Sequence, residues 1–159
     1  MAEMLQAVMG DERQERAILT DDVVREIRAH AEACAPAECC GLVFDDGVRR
    51  CTNVQDALHA ADPAAFPRTA RRAFRLADDE QLLLARSFEG PRPARVLYHS
   101  HVEAGAYLSA ADRAGATVDG EPLYPRLLHA VVSVRDGVAG EIALYRLDAG
   151  GAAEVARID

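Results

Sequence analysis

The chain has no lysine and no tryptophan, and all 18 of its basic residues are arginine. It therefore offers no side-chain amine for an isopeptide bond, which does not bar it from acting on such bonds in other proteins. Aromatic residues make up only 5% of the composition, leaving little flat surface on which bases could stack. The arginines are outnumbered by 26 acids, and a formal charge of -8 argues against a partner held by counterion release from phosphates. No nucleic acid is expected. Long apolar runs are missing too: no window approaches the roughly 20 residues that span a bilayer, so no membrane partner is expected. The opening stretch, MAEMLQAVMGDERQER, has acids where a secretory signal needs a basic start. The expected location is the cytoplasm.

Four cysteines, Cys34, Cys39, Cys40 and Cys51, crowd into the first third without a C-x-x-C pair. In a reducing compartment they read as buried thiols. A chain of 159 residues is long enough for one domain with a substantial core. Residues 1–16 are polar and aperiodic and read as a flexible extension, with the folded domain over 17–159.

Thr20 is placed to cap a helix over about 21–34, in which Val23, Val24, Ile27 and Ala31 recur at helical spacing. CCGLVF and VRRCTNV read as two short strands joined at Asp46-Gly47. Pro63 and Pro67 mark residues 55–69 as a loop, and Arg72 to Leu76 alternates as a strand does. Asp78 and Asp79 open a helix that Gly90 and Pro91 end. The strand ARVLYHSH follows, then a helix over about 110–118. Two strands, LLHAVVSV and EIALYRL, come next around Asp136-Gly137, and the last dozen residues add an edge strand. Helices and strands alternate without a strict β-α-β repeat, so the expected class is α/β with a mixed, partly antiparallel sheet flanked by helices.

Chemistry concentrates in the segment from His99 to Asp112, HSHVEAGAYLSAAD. Side chains at i and i+2 of a strand share a face, so His99 and His101 can converge on one ion. Asp112 supplies a third ligand after a turn, and a catalytic zinc takes three protein ligands and leaves one position open. Such a site lowers the pKa of its water towards neutrality. Glu38, at the head of an apolar strand, is the candidate general base, because partial burial raises a carboxyl into a useful range. Ser109 is the candidate oxyanion donor, although Ser109-x-x-Asp112 taken alone reads as a helix capping box. His30, His59 and His129 read as packed or surface residues and are left out of the site.

These residues resemble the motif of the JAMM metallopeptidases, the MPN-plus domain: a glutamate in an early strand, then His-x-His, seven residues, Ser, two residues and Asp. All five positions match in Glu38, His99, His101, Ser109 and Asp112, and the resemblance covers about residues 17–147. The chain departs from many members in carrying Val102 and Leu108 where they carry proline. The resemblance implies an architecture like that of the cytidine deaminases. It also implies zinc held by His99, His101 and Asp112, with Glu38 as acid/base and Ser109 at the oxyanion. Within the family the chain is similar to the compact bacterial branch that acts on ubiquitin-like sulfur carriers. The reaction so implied is hydrolysis of the amide or isopeptide bond after a carrier's C-terminal Gly-Gly. Family members that have lost their ligands serve as non-catalytic interaction modules, which is the alternative reading. A second rival starts from His101-Val-Glu103, the His-x-Glu of zinc nucleoside deaminases, but those need a downstream Pro-Cys-x-x-Cys and every cysteine here lies upstream. Arg68, Arg71, Arg72 and Arg75 form a basic cluster that reads first as a solvated face.

Overall fold

The computed structural model describes residues 12–159. The Thr20 hydroxyl accepts from the Val23 N–H at 3.2 Å, and helix α1, Asp21–Cys34, starts there with Asp21 and Asp22 in its first turn. Both features satisfy the bare donors and positive end of a helix N-terminus. Val23, Val24, Ile27 and Ala31 are all buried, so α1 presents one apolar stripe.

That stripe covers a six-stranded sheet. In chain order the strands are β1 (Cys40–Phe44), β2 (Gly47–Cys51), β3 (Val96–Val102), the short β4 (Thr117–Val118) and β5 (Glu121–Pro122), then β6 (Leu128–Arg135), β7 (Val138–Asp148) and β8 (Gly151–Ile158). The remaining helices are α2 (Gln55–Ala61), α3 (Asp78–Ser87) and α4 (Ala110–Gly115). The main sheet runs β2-β1-β3-β6-β7-β8, and β4 pairs with β5 separately. Among the described residues only β3 and β6 are parallel neighbours. A parallel pair needs a long crossover, and this one runs through α4 and the β4–β5 hairpin. The fold is α/β with a mixed sheet, as the pattern of elements suggested.

Asp136 and Gly137 have φ of 52° and 77°, the left-handed pair that a two-residue hairpin turn demands. In the β1–β2 hairpin Phe44 pairs with Gly47, so the turn is Asp45-Asp46, one residue earlier than expected. Gly41 is needed for packing: a Cβ there would lie 2.2 Å from the Tyr98 hydroxyl, which meets His30 Nδ1 at 2.7 Å.

Three expectations fail. Residues 55–69 contain helix α2, because Gln-Asp-Ala-Leu-His-Ala-Ala is a good helix former and the prolines act only after it ends. Arg72 to Leu76 is no strand: a single bridge joins Leu76 to Asn53. Helix α4 stops at Gly115, and the next residues turn into the β4–β5 hairpin through Asp119 and Gly120, both with positive φ. Of the expected N-terminal extension, residues 1–11 lie outside the described residues. Residues 12–16 are helical, and Glu15 pairs with Arg146 of β7, so this portion is docked on the domain.

Cys39, Cys40 and Cys51 are buried, Cys34 is half-buried, and all four are free. Burial pushes the Cys39 and Cys51 thiols up to about 12, which keeps them protonated and unreactive.

Candidate metal centre

Strand β3 delivers two imidazoles to one face because its residues alternate. His99 and His101 point into the site, while Ser100 between them points away and accepts from the Cys39 N–H at 2.7 Å. That bond ties β1 to β3 beside the site and fixes Glu38, the residue before Cys39, relative to His99. Helix α4 delivers the carboxylate. Ser109 is its N-cap: the Ser109 hydroxyl accepts from the Asp112 N–H at 3.0 Å, and Asp112 Oδ2 accepts from the Ser109 N–H at 2.9 Å. This is the reciprocal capping box, and here it also aims Asp112 at the histidines.

The three donor atoms form a triangle. His99 Nε2 and His101 Nε2 are 3.2 Å apart, and Asp112 Oδ2 lies 3.1 Å from the first and 3.2 Å from the second. Zinc with bonds near 2.0–2.1 Å in tetrahedral geometry needs ligand atoms about 3.3 Å apart, so the triangle fits one face of that tetrahedron. Tautomer chemistry agrees. His101 Nδ1 lies 3.0 Å from the Gly105 carbonyl, which can only accept. Nδ1 must then carry the proton, and in the neutral ring Nε2 keeps its lone pair for the ion. His99, His101 and Asp112 are thus a group able to hold a metal ion.

The electrostatics of the three side chains follow from this crowding. Burial alone would raise Asp112, but hydrogen bonds from His101 and His99 outweigh it and hold the carboxyl well below its usual range. Burial lowers His99. Burial also opposes charge on His101, yet the Asp112 hydrogen bond and charge win and raise it. Aromatic rings support both imidazoles: Phe74 stacks on His99 with centroids 4.4 Å apart, and Tyr107 meets His101 edge-on at 4.9 Å.

Glu38 is 6% exposed and lines the same cleft of about 670 Å³. Its backbone is pinned by the Glu38 N–H donating to the Ala70 carbonyl at 2.7 Å and by Asn53 Nδ2 donating to the Glu38 carbonyl at 2.9 Å. Burial, offset in part by His101, pushes its carboxyl up to about 8. The structure therefore brings all five sequence-selected residues into one cleft.

Sequence reasoning missed several neighbours. His129 was set aside, yet it is buried, lines the cleft, and is pushed down to about 4 by burial and by His99. The parallel β3–β6 register puts it opposite Leu97, and no local pattern encodes that pairing. His30 and His59 do serve packing, meeting Tyr98 and the Phe66 carbonyl. Phe74 and Tyr107 carried no motif and are found only through the fold.

Comparison with known proteins agrees with this fold. A family model described as prokaryotic homologs of the JAB domain matches residues 20–147. A solved protein from Salinibacter ruber is similar at 27% identity and a TM-score of 0.52, with 85% of this chain and 86% of that chain covered. A second, from Desulfitobacterium hafniense, has 20% identity and a TM-score of 0.59 over 85% and 86% of the two chains; at that identity it shows the fold alone. No curated protein matches the chain significantly.

Proposed function

Since the chain belongs to the family of prokaryotic homologs of the JAB domain, we propose that it is a zinc-dependent peptidase acting on a ubiquitin-like sulfur carrier. The bond cleaved is the amide or isopeptide bond after the carrier's C-terminal Gly-Gly. The observation that carries this reading is the triangle of His99, His101 and Asp112 donor atoms, with the His101 tautomer set by Gly105.

A zinc ion held by these three would supply Lewis acidity at neutral pH, and beside that charge the Glu38 carboxyl, raised to about 8 by burial, would come down towards the range of a general base. Glu38 takes a proton from the attacking water at a carboxyl oxygen and delivers it to the leaving nitrogen. Ser109 accepts one hydrogen bond from Asp112 and keeps its own hydroxyl hydrogen for the oxyanion. Ser109 therefore has two tasks, aiming Asp112 and meeting developing charge.

The substrate assignment draws on the walls of the cleft. The Ala73 carbonyl and the Arg75 N–H both turn to the Asn53 side chain, the spacing of an extended segment. Alternation turns the backbone of Phe74 the other way, which suits an extended tail adding as a strand. Phe74 and Tyr107 also line the cleft and leave space for small tail residues. Between Asp112 and Leu127 the chain folds only into the short β4–β5 hairpin, and no large gripping insertion stands there.

The test is metal and product analysis. Wild-type protein is expected to hold one zinc per chain and to release the added residue from a carrier ending in Gly-Gly. Asp112→Ala is expected to lose both properties, because two histidines alone leave the site incomplete. Full zinc occupancy in Asp112→Ala would sink the ligand assignment. Equal rates on Gly-Gly and Gly-Val tails would sink the substrate assignment.

A further inference from the structure

Arg68, Arg71, Arg72 and Arg75, a cluster that reads from sequence as a solvated face, all line the cleft that holds Glu38, His99 and His101. All four are exposed. Ion pairs among the described residues engage Arg25, Arg50, Arg95, Arg135, Arg146 and Arg157, and none of the four cleft arginines takes part. In a chain with 26 acids and a net charge of -8, four neighbouring cations that form no ion pair, with Arg68 alone acting as a nearby charge on the Glu38 carboxyl, are not explained by internal pairing.

Their backbone, by contrast, is tightly held. Gln55 Nε2 donates to the Arg68 carbonyl at 2.9 Å, and Asp56 accepts from the Ala70 N–H at 2.7 Å. Asn53 donates to the Ala73 carbonyl and accepts from the Arg75 N–H, both at 3.1 Å. Helix α2 and Asn53 thus fix a platform that presents the guanidinium groups along one wall. Only Arg75 has a described side-chain contact, lying 5.7 Å over the Phe66 ring.

We propose that this arginine wall is a docking surface for an acidic face on the protein whose tail enters the cleft. The inference rests on reading the cleft as a tail site. Four exposed cations exceed what one terminal carboxylate can engage, which favours a protein face over a small anion. A nucleic acid is disfavoured by the negative charge of the rest of the chain and its 5% aromatic content. The net charge of -8 disfavours an acidic partner over the molecule as a whole, whereas the four clustered cations attract one beside the cleft, so the charge pattern orients the partner with its tail at the cleft and speeds encounter.

Fluorescence anisotropy on the full chain tests the proposal with four probes: an acidic ubiquitin-fold sulfur carrier ending in Gly-Gly, its charge-reversed twin, its free C-terminal peptide, and a single-stranded RNA. The variant Arg71→Glu/Arg72→Glu is compared with Arg49→Glu/Arg92→Glu, an equal charge change at exposed positions outside the cleft. At low salt the wall variant is expected to bind the acidic carrier about tenfold more weakly or worse, with the difference closing at high salt. Arg71→Gln/Arg72→Gln should fall between it and wild type, and the peptide should lose much less. Equal loss in both Glu variants, equal binding of the charge-reversed twin, or tighter wall-dependent binding of RNA would overturn it. Binding needs no turnover, so the two readings separate. Wall-dependent binding of a carrier that is never cleaved sinks the peptidase reading and leaves the docking surface. Cleavage with wild-type binding in the wall variants does the reverse.

Discussion

On one face of the central sheet, Cys39, Val43, Val96, Tyr98, Val132, Ile142 and Leu144 are sealed under the apolar stripe of α1. One position along the same strands, Cys40, His99, His101 and His129 face the other way. There Cys40, Leu42 and Leu84 make one apolar cluster, Ala106, Val131, Ala143 and Tyr145 a second, smaller one, and the cleft lies beside both. Among the described residues the first face is closed mainly by α1, whose periodicity matches it, with Ile18 and Leu19 packed beside it. The second is covered by α3 and by loops that leave buried titratable groups accessible. A period of two in β3 separates these two duties, so the face that stabilises the fold and the face equipped for chemistry should respond differently to substitution.

The sharpest contrast should come from Glu38→Gln. Removing the proton carrier is expected to lower kcat/KM by about 10²- to 10⁴-fold while zinc content and the urea midpoint of the metal-loaded protein stay at wild-type values. Wild-type turnover in this variant would reduce Glu38 to a buried strand-end residue. On the sealed face the converse holds. Ile27, 0% exposed, is expected to cost about 2–5 kcal/mol of unfolding free energy when cut to Ala, with zinc still bound to the folded fraction. If Ile27→Ala loses zinc at full stability, the two faces are not independent.

A smaller effect concerns pH in the metal-free protein. Glu38 is raised by burial from 4.5 to about 8. Its stabilising contribution is therefore complete below 4.5 and is lost as pH rises through 8. His129, lowered by burial from 6.5 to about 4, contributes above 6.5 and is lost as pH falls through 4. Between 6.5 and 8 Glu38 acts without opposition from His129. His101, whose burial penalty is outweighed by Asp112, is raised and adds to the same fall. Stability should drop over that window, and Glu38→Gln should remove on the order of 2 kcal/mol of the drop. Urea unfolding in EDTA at the two ends of the window reads this directly; an unchanged slope in the variant would show that Glu38 does not titrate there. The smallest change expected is in stability on Ser109→Ala, about 1 kcal/mol for the lost cap. Its rate should fall less than that of Glu38→Gln, and an equal fall would overturn that ranking.

Much of this molecule is legible along the chain. Thr20 and the 3–4 spacing of Val23, Val24, Ile27 and Ala31 mark α1, and Asp136-Gly137 marks its hairpin, because caps, amphipathic periods and positive-φ turns are local. His-x-His on a strand followed by Ser-x-x-Asp is local as well, since alternation and a capping box act within a few residues. The errors fall where local signals compete. Pro63 and Pro67 hid the short helix before them, and alternation in Arg72 to Leu76 suggested a strand that lacks a ladder partner beyond Asn53. The expected helix over 110–118 runs past Gly115, the residue at which α4 ends, because one glycine is a weaker stop signal than a Gly-Pro pair.

By itself, then, the sequence determined the candidate ligand types, their shared strand face and the capped helix that carries the carboxylate, all consequences of short-range periodicity and hydrogen bonding. Only the tertiary structure decided the rest. It set Glu38 across the sheet from the histidines through the β1–β3 register, brought His129 in through a parallel pairing, stacked Phe74 on His99, and turned Arg68 to Arg75 from a surface run into a cleft wall. Those placements depend on contacts between segments far apart in the chain, and no local propensity encodes which distant strand or loop becomes a neighbour.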